Sequence, residues 1–278
     1  MFQTARHLLP IAAIALLLPS CVDDDAPQDE PPATVTQSCV QQDVTSGAFT
    51  LDYPDKRVWV FSETVLHDGT LFLPNAASEI APCDDGFDLD APPLIPYRDD
   101  EDPGSTRIWP RGGYVRPDGV GVVFYDKVDF RGYFDFTVIG TGVAYVAADG
   151  SADRPEGLVW EGPEAGWGNG AFADADGNGY LFGCLKRSTF DEPCRVARVP
   201  LGAEGDPTAY TYFNGDDWSE DAADAKAVFE GTMAPSVRPR LGRYVAVHTE
   251  LFSNIVVVRE SDRPQGPWSS ATRLFTGV

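Results

Sequence analysis

Four segments of this chain repeat one pattern at a spacing of roughly sixty residues, within reach of a propeller blade. They are "YPDKRVWVFSETV" (53–65), "RPDGVGVVFYDKV" (116–128), "ADGNGYLFGCLKR" (175–187) and "RPRLGRYVAVHTEL" (238–251). Each opens on a tight turn, runs through aromatic or branched residues and meets a polar residue near its end. Aligned on the apolar run, Trp59, Val122, Tyr180 and Tyr244 correspond, and so do Glu63, Asp126, Cys184 and His248. Short apolar runs punctuated by Asp-Gly and Gly-Asn turns are strand and hairpin signals, and helical periodicity is scarce.

The segments that follow also match one another. "TGVAYVAADG" with "GLVWEG", "CRVARVPLGA" with "AYTYFNG", and "NIVVVRESDR" with "SSATRLFTG" each read as strand, turn-rich loop, strand. Every unit then supplies four antiparallel strands in a meander, the composition of a propeller blade. The expected fold is an all-β propeller with four visible blades, over roughly residues 45–100, 107–163, 167–216 and 230–278. A β-sandwich ranks second because it leaves the order within each unit unexplained, and a parallel solenoid third.

The ends of the chain bound where it works. Residues 1–20 carry Arg6 and an apolar run from Leu8 to Leu18, too short to span a bilayer and suited to a signal peptide. Leu18-Pro19-Ser20-Cys21 matches a bacterial lipobox with Cys21 as the lipidated residue, although Pro19 is an unusual occupant. Residues 21–38 are rich in Asp, Pro and small polar residues and read as a disordered tether, leaving 39–278 as the propeller domain. The expected location is the bacterial cell envelope, with the domain held off a membrane, periplasmic or surface-exposed, by the lipid at Cys21.

The net charge of −22 argues against nucleic acid as a partner, since phosphate neutralisation needs clustered Lys and Arg. Most of the acidity falls in turn-like stretches such as "RDDEDPG" and "NGDDWSEDAADA", which read as solvated surface. Apart from Cys21, the cysteines are Cys39, Cys83, Cys184 and Cys194, an even number that suits two disulfides in an exported chain. Cys184 and Cys194 flank a loop between two strand-like runs, and Cys39 with Cys83 follows by elimination. Neither a CxxC nor a paired-His spacing is present, so no metal site is expected from them. "DADGNG" (174–179) shares the start of a calcium loop, but Leu185 stands where that loop wants Glu. A hairpin turn accounts for it, and no cofactor is expected.

Several stretches resemble a known family, the bacterial "domain of unknown function 4185" propellers. These are "VWVFSET", "GNGAFADADGNGYLFG", "RVARVPL" with "AYTYFNGDDW", and "IVVVRESDRPQGPWSSATRLF", whose Ser-x-x-Pro-x-Gly-Pro-Trp is the most specific element. The resemblance covers most of the chain from about residue 50. It implies a propeller of five blades related to glycoside hydrolases and, for some members, endo-D-arabinan hydrolysis. Two features depart from the family pattern: Glu63 stands where the family has the aspartate of "GDT", and a fifth blade is not visible.

Chemistry in a propeller gathers where the inner strands open onto the central channel. The first two strands of a blade are antiparallel, so the start of one and the end of the next share a face. That rule collects Glu63, Asp126 with Lys127, and His248 from second-strand ends. It adds Trp109 with Arg111, Trp167 with Asn169, and Ser236 with Arg238 from first-strand starts. Tryptophan offers a flat face to a sugar ring, while Arg and Asn offer directional hydrogen bonds. Glycoside hydrolysis uses two carboxyl groups, one protonated and one ionised, and Glu63 with Asp126 are the expected pair. Trp109, Arg111, Trp167, Asn169 and His248 are the expected substrate-binding residues, with Lys127 or Arg111 holding one carboxylate ionised. The favoured reading is a glycoside hydrolase acting on an arabinan-type polysaccharide or oligosaccharide. The alternative is a propeller lipoprotein that binds glycan or protein without catalysis, since fold kinship fixes no chemistry.

Overall fold

A computed structural model describes residues 44–65, 72–73, 75–79, 93–132, 135–162, 166–184, 192–230, 234–250 and 253–277. The expected signal peptide (1–20) and tether (21–38), with Cys21, Cys39 and Cys83, lie outside the described residues.

The strands fall into four antiparallel sheets in chain order. Blade 1 holds β1 (Val44–Asp52), β2 (Arg57–Val65), β3 (Phe72–Leu73) and β4 (Ala76–Ser78). Blade 2 holds β5 (Thr106–Val115), β6 (Gly121–Gly132), β7 (Asp135–Val146), β8 (Ala152–Asp153) and β9 (Trp160–Glu161). Blade 3 holds β10 (Trp167–Ala173), β11 (Asn178–Cys184) and β12 (Pro193–Pro200), then β13 (Thr211–Phe213), β14 (Trp218–Ser219) and β15 (Phe229–Glu230). Blade 4 holds β16 (Ser236–Arg240), β17 (Arg243–Thr249), β18 (Ile255–Ser261) and β19 (Thr272–Thr276). This is the β-propeller of four blades anticipated from the repeat. No fifth sheet occurs among the described residues.

The repeated turns close the first hairpin of each blade. Arg116 N–H donates to Val120 O across Gly119, and Asp174 N–H donates to Asn178 O across Gly177. Both glycines sit in the left-handed region, at φ 85° and 84°, where a side chain is disfavoured. "DADGNG" is therefore a hairpin. Its aspartates accept from the turn's own amides, and Asp174 and Asp176 also accept from the hydroxyls of Tyr244 and Tyr180.

Why the apolar runs are continuous rather than alternating follows from blade stacking. In β6, Val123 and Tyr125 pack with Leu51 and Val60 of blade 1, while Val122 and Phe124 pack with Leu181 and Ala197 of blade 3. Both faces of the strand are buried, so both parities must be apolar. Leu181 and Phe182 repeat this in blade 3, the latter joining Val237 and Ala246 of blade 4. Blade 4 breaks the rule. Ala246 and Val257 are buried toward blade 3, whereas Val245, Val247, Val256 and Val258 on the other face stay half-buried. The Trp268 of the Ser-x-x-Pro-x-Gly-Pro-Trp motif closes its own turn, its indole N–H donating to Pro264 O, and packs on Phe182 and Phe229.

The inner strands approach very closely. β1 packs on β5, β5 on β10, and β10 on β16. A Cβ on Gly112 would lie 2.4 Å from Gly168 O, and one on Gly170 would lie 2.4 Å from Pro235 O. These glycines let successive blades meet backbone to backbone around the axis. Cys184 and Cys194, opposite each other in the β11–β12 ladder, form the expected disulfide.

Candidate functional site

The four inner strands surround a cavity of about 240 Å³ lined by residues 47–50, 111–113, 169–171 and 234–238. Two β-bulges shape its wall. The β5–β6 register shifts between Pro110 and Gly112, and the β10–β11 register shifts between Trp167 and Gly170. Arg111 and Asn169 are left out of the ladders at these shifts, and both line the cavity. A bulge re-aims the extra residue, which is how a strand otherwise locked in alternation delivers a polar side chain to a channel.

Arg111 stands on Asp126. Its Nε donates to Asp126 Oδ2 at 2.7 Å, and a second guanidinium nitrogen lies 2.5 Å from the same oxygen. Thr141, which faces Asp126 across β6 and β7, donates its hydroxyl to Oδ1 at 2.9 Å. Asp126 is only 2% exposed and has both oxygens bound.

Glu63 lies at the end of β2, whose Ser62 hydroxyl donates to Pro110 O on β5. Burial pushes the Glu63 carboxyl above its ordinary value, opposed by the Trp109 indole and the Arg107 and Arg111 guanidinium groups. Glu63 Oε1 and Trp109 Nε1 are both buried, and the indole is the hydrogen-bonding group that opposes the rise. The tryptophan packs edge-on against Phe136 with ring centroids 5.0 Å apart. Arg111 thus bears on both carboxylates, by direct bonds to Asp126 and through its charge on Glu63.

The shared-face rule groups Glu63, Trp109, Arg111, Asp126 and Asn169, but of these only Arg111 and Asn169 line the cavity; Glu63, Trp109 and Asp126 stand behind its wall. Trp167 is 3% exposed and packs against Trp160 and Tyr212 within the core between blades 2 and 3. Its ring is not available as a sugar platform. His248 points toward blade 3, stacked on Phe229, with Nδ1 near Thr249 O and Nε2 accepting from Arg259 Nε. Burial lowers its pKa, and it lies outside the cavity lining. Lys127 serves a different carboxylate, with Nζ 2.7 Å from Glu101 Oε1.

Glu101 comes from "RDDEDPG", which reads as solvated surface yet holds a residue only 6% exposed. Burial opposes its ionisation, but bonds from Arg154, the Arg98 amide and Lys127 prevail and hold the carboxyl down at about 2. Thr141 and Arg107 join the site without a signal in the strand-end rule. Thr141 belongs to the third strand, beyond the reach of a rule built on the first two, although the repeat itself places it opposite Asp126.

Four antiparallel sheets around an axial cavity define the class as a β-propeller. Residues 142–277 match the sequence profile of the family described as "Domain of unknown function (DUF4185)", the family the motifs resemble. Solved structures share the fold. A candidate hydrolase from Bacteroides ovatus aligns at a TM-score of 0.58 and 16% identity, over 84% of this chain and 70% of that one. A thermostable family-43 glycoside hydrolase aligns at 0.54 and 11% identity, over 84% and 73%. The family GH43_1 enzyme from Xanthomonas citri, complexed with xylotriose, aligns at 0.51 and 17% identity, over 84% and 74%. No curated protein matches the chain in sequence.

Proposed function

We propose that this chain is a carbohydrate-active propeller of the cell envelope that hydrolyses glycosidic bonds at the Glu63 end of its axial cavity. The observation that carries the reading is Glu63: a half-buried carboxyl whose pKa is raised by burial, within the electrostatic reach of the arginine that also holds Asp126. A carboxyl whose pKa is raised by burial is the kind of group that serves a glycosidic oxygen as proton donor. Asp126 supplies the second, anionic carboxylate, oriented by Arg111 and Thr141, and Arg111 and Asn169 present donors to sugar hydroxyls. The kinship in fold with family-43 glycoside hydrolases supports the class. Arabinan is the substrate suggested by the resembled family.

Hydrolysis requires both cavity access and the Glu63 proton. The test is product release from arabinan, xylan, galactan and uronate-bearing oligosaccharides by the purified domain, with Glu63→Gln as control. Turnover by the parent chain that falls at least about 100-fold in the variant supports the reading. Unchanged turnover in the variant, or no product from any glycan, overturns it.

Binding without hydrolysis is the second reading, favoured by one observation. Asp126 is almost fully buried with both oxygens engaged and stands outside the cavity lining. Saturable glycan binding without product would select it. Anchorage through Cys21 belongs to both readings and is supported by the lipobox and by the Cys184–Cys194 disulfide, which suits an oxidising compartment. Loss of lipid labelling and of membrane fractionation in Cys21→Ser tests it.

A further inference from the structure

The axial cavity has the opposite charge character to the chain that encloses it. The chain carries 43 Asp and Glu against 21 Lys and Arg, yet among the described residues the cavity lining includes two arginines and no carboxylate. Arg111 is neutralised by Asp126. Arg238 is not neutralised. Its guanidinium reaches only neutral acceptors, Ala171 O at 3.3 Å and Thr50 O at 3.4 Å, both at the long end of the hydrogen-bond range. Two of its five N–H donors are thereby engaged, and no carboxylate pairs with it among the described residues. Asp52, the nearest source of opposing charge, is itself bonded to Arg57.

Arg238 also occupies a special place along the axis. It lines the cavity that holds Arg111 and Asn169, and it lines a second cavity with Asp52 and Tyr114 toward the other end of the inner strands. It borders both, together with Thr50, whose carbonyl accepts from it. A cation held in such a place without a counter-ion is costly, and burial correspondingly pushes its pKa down. An anionic group entering from the Arg111 side would remove that cost.

We propose that the glycan recognised here carries a carboxylate, and that Arg238 is the residue that selects it. This inference rests on the reading of the cavity as a glycan site and names the substrate class: uronate-bearing rather than neutral sugars. A guanidinium matches a carboxylate in a planar two-bond fork, a geometry no neutral hydroxymethyl group reproduces. The acidic exterior does not cancel this preference, because charges beyond about 8 Å are screened at physiological ionic strength while a contact inside the cavity is not.

A purely structural Arg238, strapping β10 to β1 through its two carbonyls, makes a different prediction. It would affect stability without affecting ligand choice. Calorimetry on the full chain decides between them, using galacturonate and glucuronate oligosaccharides and their carboxyl-reduced galactose and glucose counterparts. The expected result is uronate binding at least about tenfold tighter than the reduced form, a difference of roughly 1.4 kcal/mol. Arg238→Gln should abolish that preference by weakening uronate binding far more than binding of the reduced form, and Arg238→Lys should retain part of it. Equal binding of uronate and reduced forms by the parent chain overturns the inference and leaves the glycan reading standing. Failure to bind any glycan overturns both. If Arg238→Gln does not fold, the two ligand classes compared on the parent chain still separate selection from a structural role.

Discussion

Arg111 and Asp126 form one unit in which the guanidinium lines the cavity and the carboxylate stands behind it, the arginine side chain 36% exposed and the aspartate 3%. The register shift between Pro110 and Gly112 makes this possible, because it frees Arg111 from the ladder that pairs Trp109 with Asp126. Position and charge at the mouth of the cavity therefore depend on a single irregularity in β5.

Removing Arg111 should be costly through what it leaves behind. Arg111→Met strands a buried carboxylate with Thr141 as its remaining partner, and stability should fall by about 2–4 kcal/mol. Arg111→Met combined with Asp126→Asn should recover part of that loss, since the uncompensated charge is gone. Urea denaturation of the single and double variants measures the coupling.

Glu63 should trade stability against function. Its folded pKa lies above the unfolded value, so its favourable contribution is complete below the unfolded value of 4.5 and is lost as pH rises through the folded one. Glu63→Gln removes this penalty. The variant should match the parent near pH 4, exceed it in melting temperature at pH 7, and lose turnover. Melting curves across that range, run beside the hydrolysis assay, read both effects.

Gly112→Ala and Gly170→Ala each drive a methyl group into a backbone carbonyl of the neighbouring blade. Neither carbonyl can rotate away as a side chain would, so each variant should lose about 1–3 kcal/mol. Gly132→Ala, where an added Cβ meets nothing within 4 Å, is the control and should melt with the parent.

His248 is expected to matter for acid stability and not for glycan turnover. Its folded pKa is lowered by burial, so its contribution is present above the unfolded value of 6.5 and is lost as pH falls through the folded value. His248→Gln should flatten the decline in stability below pH 6.5 while leaving product release within about twofold of the parent. A large fall in turnover at unchanged stability would instead return His248 to the binding site.

The repeat alone determined the blades, their order and the strand ends that share a face, because turn chemistry and apolar runs are local and recur four times. It also put Glu63, Trp109, Arg111 and Asp126 on one face, because the first two strands of each blade run antiparallel. The contact of Glu63 with Trp109 across blades and the bond of Arg111 to Asp126 at a register shift came only with the fold. What it left open was which way each of those residues faces. Trp167 and Trp109 occupy equivalent strand starts, yet one is enclosed by Trp160 and Tyr212 and the other lies against Glu63. Only the neighbouring blade decides that. The same holds for Glu101, whose acidic turn reads as surface until Arg154 and Lys127 arrive from other strands. Arg238 shows the limit most clearly: its spacing puts it at a strand start, but its place in the cavity wall with no carboxylate bonded to it among the described residues exists only once four strands enclose the axis.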